Sequence, residues 1–320
     1  MKVTRMRLAV QAFALLLAAP VGAAWSSDQG AGNGAIDVTM EVEGGGAYLK
    51  KNLSLKFTFV NRTEPTVTIE PIAFGPGSFI VTDSRGGAVP AASGSPAVAA
   101  PVTIPGYSST EHTVDLSAWY PRLTARESTW EIAWNHPPFE VAPMTVRIIP
   151  AHDPKKDRFV VVETDLGKMK WEMLPDLAPR RVARFVDLVR QGHYDGLVFF
   201  RYVPGVQAEG GGPAEERSDV WSRLSPPEVV KDFLPGPGLV GALRPQGATM
   251  SSMTSDSMFF VTLGAVDFMQ GSQTFFARVV DGYEVLAKMN QVGNRGPTGD
   301  ARAYRLTEPV MIQKMSVRRR

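Results

Sequence analysis

The residue types that do chemistry are sparse in this chain, and their scarcity narrows the options. There is no cysteine, so thiol catalysis, thiolate metal sites and disulfides are excluded. The four histidines, His112, His136, His152 and His193, have no spacing suited to a metal, and His193 sits in a turn-like Gly-His-Tyr-Asp-Gly stretch. No cofactor or metal is therefore expected. The first half offers no catalytic constellation; Trp119, Tyr120, Trp130 and Trp134 are either core or a ligand platform, and alternation of aromatics along strands favours core. What stands out is one cation in an apolar, aromatic run, Phe199-Phe200-Arg201-Tyr202-Val203-Pro204-Gly205. Arginine stays charged and presents a rigid fork of donors, and Glu209, eight positions on, is an acceptor able to pair with it and restrain it.

Those residues need a scaffold, and the patterning describes one. Of the 320 residues 44% are hydrophobic and 21% charged, enough for two domains with cores of their own and too apolar for disorder. Lys2, Arg5 and Arg7 precede an apolar run, Leu8 to Pro20, followed by small residues at Val21-Gly22-Ala23-Ala24. This reads as a signal peptide over 1–24, too short for a membrane span, with 25–35 a flexible lead-in. Removing its three cations takes the formal charge from +2 to about −1, which leaves no basic face for nucleic acid. The expectation is an exported chain, periplasmic or extracellular, with no membrane span in its mature form.

Residues 36–151 alternate with period two at Ile36–Val42, Leu53–Val60, Thr66–Ile69, Phe79–Val81, Thr129–Trp134 and Met144–Ile149, separated by Gly, Pro and Asn turns. An antiparallel β-sandwich accessory domain is predicted, with Pro90 to Pro101 a long surface loop. Its strand-then-turn Phe59-Val60-Asn61-Arg62-Thr63 resembles small extracytoplasmic modules of the immunoglobulin-like, intracellular-proteinase-inhibitor (BsuPI) type. The polar break Ala151 to Lys156 ends it. Beyond, a hairpin over Phe159 to Leu174 leads to an amphipathic helix, Pro179 to Gln191, stopped by Gly192.

The second half, 156–320, resembles the cyclophilins. The resemblance runs through Thr164-Asp165-Leu166-Gly167, Ala178-Pro179-Arg180-Arg181-Val182-Ala183-Arg184-Phe185 and Gly192-His193-Tyr194-Asp195-Gly196. It continues through Phe199 to Gly212, Gly236 to Leu243, Ser257-Met258-Phe259-Phe260-Val261 and Phe275 to Gly282, closing with a helix from Tyr283 to Asn290. It implies a closed eight-stranded β-barrel capped by two helices, so the whole chain is expected to be mostly β, a sandwich followed by a barrel.

Cyclophilins are peptidyl-prolyl cis-trans isomerases, so the resemblance implies proline-containing peptides or exported client proteins as partners. Rotation about X–Pro breaks amide resonance over a barrier of about 18–20 kcal/mol and makes the proline nitrogen basic. Arg201 matches the family's catalytic arginine, which would hydrogen-bond that lone pair only in the twisted state. By the same resemblance Phe260 is the floor of the proline pocket, with Val206 and Met269 or Phe268 as walls. The groove departs from the family pattern: Phe200 stands for its histidine, Glu209 and Met258 for two glutamines, Gln273 for the pocket histidine, Phe268 for the tryptophan, and Leu243-Arg244 for Ala-Asn. The loop Pro245 to Ser257 is longer and Met-rich. Two functions follow as alternatives: an isomerase for exported proteins, or a cyclophilin-like binding module of the cell envelope with weak or no turnover.

Overall fold

The computed structural model describes residues 35–94, 96–98, 101–214, 223–245, 253–298 and 303–318. The expected signal peptide 1–24 and lead-in up to 34 lie outside the described residues, as do 246–252 of the loop read as Met-rich.

The N-terminal half builds two larger sheets over one core, with two short two-stranded pairs beside them, Val67–Ile69 with Val102–Ile104 and Ala73–Phe74 with Ala97–Val98. Strands β1 (Ile36–Val42), β3 (Ser54–Asn61) and β5 (Ser109–Asp115) form the first, in the order β1-β3-β5. The second joins β2 (Ala47–Tyr48), β4 (Phe79–Asp83), β6 (Ser128–His136), β7 (Phe139–Glu140) and β8 (Met144–Ile149) around β6. The pairings are antiparallel apart from a two-residue parallel pairing of β8 with β2. The period-two reading has its cause in β3, where Leu55, Phe57, Phe59 and Asn61 alternate inward. Trp119, Tyr120, Trp130 and Trp134 are all buried in that core.

Asn61 is buried because its amide closes the turn that follows. It donates to the carbonyls of Pro65 (2.8 Å) and Ile104 (3.0 Å) and accepts from the Thr63 N–H at 2.9 Å. Strand β5 escaped the pattern, since its sequence Ser-Thr-Glu-His-Thr-Val-Asp buries only Val114; backbone pairing to β3 from Ser54 to Val60 holds it instead. Inside the expected loop Pro90 to Pro101, Ala97–Val98 pairs with Ala73–Phe74.

The C-terminal half is a closed barrel of eight strands, all antiparallel. The strands are β9 (Phe159–Thr164), β10 (Gly167–Met173), β11 (Val198–Val203), β12 (Gln207–Gly212), β13 (Leu239–Ala242), β14 (Phe259–Thr262), β15 (Phe275–Asp281) and β16 (Arg305–Arg318). They close in the order β9-β10-β15-β13-β14-β12-β11-β16. Closure leaves no unpaired edge. Trp171, Phe199, Phe259, Phe276 and Ile312 fill the barrel with almost no solvent contact. The helices are α1 (Pro179–Gln191) and α2 (Tyr283–Val292).

Helix α1 buries Val182, Phe185, Val186 and Val189, spaced three and four apart, each worth about 1.5–3 kcal/mol. Proline opens it, and its N-cap Ala178 has no side chain to cap with. Glu228 supplies the missing acceptor from another loop, taking the N–H of Arg180 (3.2 Å) and of Arg181 (2.8 Å). Gly192 ends the helix at φ 75°, where a side chain would be strained.

Candidate functional site

The site lies on the outer face of the barrel. Arg201 on β11 is registered with Glu209 on β12, Glu209 with Phe260 on β14, and Phe260 with Gly241 on β13. Directly paired residues share a face, so this row carries the arginine, the carboxylate and the aromatic floor across four adjacent strands. Their neighbours Phe199, Tyr202, Ala208, Phe259 and Val261 point into the barrel.

A register shift between Phe199 and Arg201 is what turns both Phe200 and Arg201 outward. On β12, Gly210 and Glu209 are consecutive partners, whereas on β11 they face Phe199 and Arg201. The extra residue is a β-bulge, a device that re-aims a side chain.

Arg201 is held at two of its nitrogens. Nε donates to the Ala303 carbonyl at 2.8 Å, and Nη1 pairs with Glu209 Oε1. The Gln207 amide donates to the same oxygen at 2.6 Å, which fixes the carboxylate. The pair is sheltered, its side chains 20% and 6% exposed. Nη2 makes no hydrogen bond to any described residue, so one donor edge is left for a ligand. Arg305 lies with its guanidinium 5.5 Å from the Phe200 ring centre.

Beside the arginine is an apolar cluster of Leu239, Leu243, Met258, Phe260, Val266, Met269 and Phe275, with Phe200 and Val206 at its margin. The Phe260 ring lies directly over Gly241, where a Cβ would come 2.3 Å from Cζ. Phe275 meets Phe260 edge-on at 5.9 Å. Gly212 lets Phe200 and the Met258 sulfur approach, since a Cβ there would lie 3.1 and 3.2 Å from them.

Of the residues singled out in the sequence, Phe200, Val206, Leu243, Met258, Phe260 and Met269 thus come together, with Arg201 and Glu209 in register beside them. Three stand apart. Phe268 is 72% exposed and outside the cluster, Met269 being the inward member of the pair. Gln273 lines a cavity of about 10 Å³ that borders the cluster at Phe275, with Leu177, Glu228 and Phe233. Arg244 bonds the Ser272 carbonyl, and burial holds its pKa below the usual arginine range.

Sequence reasoning missed Gln207, Gly241, Leu239, Val266, Phe275 and the Ala303 carbonyl. The unbroken apolar stretch Leu239-Val240-Gly241-Ala242 could have marked Leu239, but nothing local marks a carbonyl brought in from about a hundred residues away. Among the described residues, no group of three or more His, Asp or Glu could hold a metal ion. Chemically, the arrangement offers a fixed cation with a free donor edge beside an apolar floor.

Comparison with known proteins bears on this geometry. The family model described as "Cyclophilin type peptidyl-prolyl cis-trans isomerase/CLD" matches residues 159–317. Over 133 residues the chain is 31% identical to peptidyl-prolyl cis-trans isomerase-like 1 of Rhizopus delemar, covering 42% of this chain and 80% of that protein. It is also 31% identical over 169 residues to peptidyl-prolyl cis-trans isomerase-like 2 of Cryptococcus neoformans var. neoformans serotype D, covering 51% of this chain but 28% of that protein's length. A solved cyclophilin type isomerase of Cryptosporidium parvum, crystallised in the presence of the dipeptide Ala-Pro, aligns with a TM-score of 0.42 at 19% identity, over 50% of this chain and 98% of that one. The family model and the Rhizopus relative, matched over most of its length, lead to one conclusion: through residues 159–317 this chain belongs to the cyclophilin type peptidyl-prolyl cis-trans isomerase family.

Proposed function

We propose that this chain is a peptidyl-prolyl cis-trans isomerase acting on X–Pro bonds of exported proteins, with Arg201 stabilising the twisted amide. The observation that carries the reading is Arg201 itself, fixed by Ala303 and Glu209, with Nη2 open and in register with the Phe260 floor. Twisting the X–Pro bond makes the proline nitrogen pyramidal and gives it a lone pair. A donor that is already oriented meets that lone pair only when it develops, which lowers the barrier without tightening the ground state. The proline ring would be received by the apolar cluster of Phe260, Met258, Met269 and Val206.

The test is a protease-coupled isomerisation assay on Ala-Pro peptides, wild type against Arg201→Ala. The wild type is expected to exceed the uncatalysed rate and the variant to lose most of the excess. Equal rates at the uncatalysed level sink the reading.

A second reading, a binding module without turnover, is favoured by the rewritten groove, where Glu209 pairs with the arginine and Met258 stands beside the Phe260 floor. Under it, Glu209→Gln with Met258→Gln creates activity that the natural chain lacks. Brisk turnover by the unmodified chain removes it. We further read 1–24 as an export signal and the N-terminal half as an immunoglobulin-like accessory module, placing the chain in the periplasm or outside the cell. Sequencing the N-terminus of the exported product tests this, with cleavage expected near Ala23 or Ala24 and a cytoplasmic, uncleaved chain contradicting it.

A further inference from the structure

Residues 254–258 run directly into β14 and carry Met258, so whatever fixes their backbone fixes one wall of the groove. Helix α1 does much of this. Arg181, withdrawn into the interior, donates from Nη1 to the Ser255 carbonyl (2.8 Å) and from Nη2 to those of Ser257 (3.2 Å) and Met258 (3.0 Å). Arg184 Nε holds Asp256 Oδ2 at 2.6 Å, while Ser225 Oγ donates to Oδ1 at 2.7 Å. The Asp256 N–H in turn donates to the Arg223 carbonyl at 3.0 Å. A three-residue turn around Asp256 is therefore gripped from two sides.

Both grips extend to the N-terminal half. Arg184 Nη1 also donates to the Gly45 carbonyl at 3.2 Å, in the turn between β1 and β2. Arg223 Nη2 meets Glu41 Oε2 on β1 at 2.6 Å. Tyr48 on β2 adds a bond to Asp187 of α1 at 2.5 Å, aligning the same helix. Arg184 thus spans the groove turn and Gly45 with one guanidinium, whereas Arg223 holds Glu41 with its guanidinium and the turn with its backbone carbonyl. Among the described residues, neither makes a hydrogen bond or ion pair with Arg201. A side chain shared between two partners couples their positions, and hydrogen-bonded neighbours of this kind depart from additivity.

We infer that Arg184 and Arg223 are positioning residues of the peptide groove, through which the N-terminal half, at Gly45 and Glu41, sets the placement of the Met258 wall. The inference rests on the peptide-groove reading proposed above. It assigns the accessory half a part in substrate recognition: this half tunes how tightly a proline-containing peptide is held and leaves the rotation step to Arg201.

The experiment uses the full chain with Arg184→Gln, Arg223→Gln, Glu41→Gln and the Glu41→Gln/Arg223→Gln pair, and reads two quantities. The first is amide exchange at Asp256 and Met258; the second is KM and kcat for a blocked Ala-Ala-Pro-Phe anilide. Glu41 and Arg223 are partly exposed, so their variants test the idea without removing buried structure. Arg184→Gln and Arg223→Gln are expected to speed exchange at Met258 and to raise KM about three- to tenfold, with kcat within about twofold of wild type. Adding Glu41→Gln to Arg223→Gln should change exchange and KM no further, because the link to the groove turn is already broken and the other pair of Glu41, with Lys56 at 3.0 Å, lies within the first sheet.

Unchanged exchange and KM overturn the inference, as does a loss of kcat and KM effects that merely track melting temperature. If the wild type neither binds nor turns over the peptide, the groove reading falls and exchange alone decides the brace. Faster exchange at Met258 in Arg223→Gln then supports it, and unchanged protection overturns it.

Discussion

Replacing Glu209 by glutamine is the perturbation most sensitive to how the site is wired. The carboxylate pairs with Arg201 Nη1, accepts from Gln207 at 2.6 Å, and is almost out of solvent. Two unit charges about 4 Å apart at an effective dielectric constant near 20 attract by about 4 kcal/mol. Most of that is offset by desolvation of both ions, and glutamine keeps one oxygen to accept the Nη1–H. The net stability loss should be about 1–2 kcal/mol, as for a single charge-assisted hydrogen bond. The effect on turnover runs the other way. Under the proposed isomerase reading, Glu209 neutralises the positive field that Arg201 would project toward the proline nitrogen, so removing its charge should strengthen transition-state stabilisation. If about 1 kcal/mol of the gross attraction is released in this way, kcat/KM rises roughly fivefold. Urea unfolding and the isomerisation assay together measure both signs. A variant that folds normally yet isomerises more slowly refutes the argument, because Glu209 would then be orienting Arg201 rather than damping it.

Other outcomes follow from the same geometry. Gly241→Ala places a methyl within 2.3 Å of the Phe260 ring, so it should cost about 1–3 kcal/mol in urea unfolding and weaken peptide binding; an unchanged midpoint contradicts the close approach. Phe260→Ala should cost about 3–5 kcal/mol and abolish binding of proline peptides, measured by calorimetry. Asp157→Asn and Asp187→Asn should behave oppositely at neutral pH. Burial pushes the Asp157 carboxyl up, but the Asp153 N–H and the Arg190 guanidinium at 2.6 Å outweigh it and hold its pKa below the ordinary value. A depressed carboxylate stabilises the fold above its unfolded pKa of about 3.9, and that contribution is lost as pH falls through the folded value. The gap between wild type and Asp157→Asn should therefore close below about pH 4. Asp187 is raised by burial despite its bond from Tyr48, so its ionised form disfavours the fold once pH climbs above the unfolded value, and Asp187→Asn should hold or raise the melting temperature at pH 7.

How much of this was legible beforehand varies with the physics of each element. Helix α1 was readable to its ends because proline, a three-four apolar spacing and a terminal glycine are all local signals. Strand β5 was not, because its seven residues are held by pairing to β3 rather than by an apolar face. At the site, residue types were legible and geometry was not. Arg201 and Phe260 could be picked from family pattern, but the bulge that turns Phe200 and Arg201 to one face exists only once β11 is paired with β12. The choice between Phe268 and Met269 likewise waited on which of two neighbours points inward. Nothing local marks the arginines of α1, whose targets at Ser255, Asp256 and Gly45 are between roughly seventy and a hundred and forty residues away.

The central claim is that Arg201 acts on the twisted amide and not on the resting peptide. Exchange spectroscopy on an Ala-Pro peptide, which yields bound-state isomerisation rate and dissociation constant from one sample, tests it most directly with wild type and Arg201→Ala. The variant is expected to lose about a hundredfold in isomerisation rate, the scale of one charged donor aimed at a transition state, while its dissociation constant barely moves. A rate that survives the substitution, or a loss confined to affinity, would contradict it.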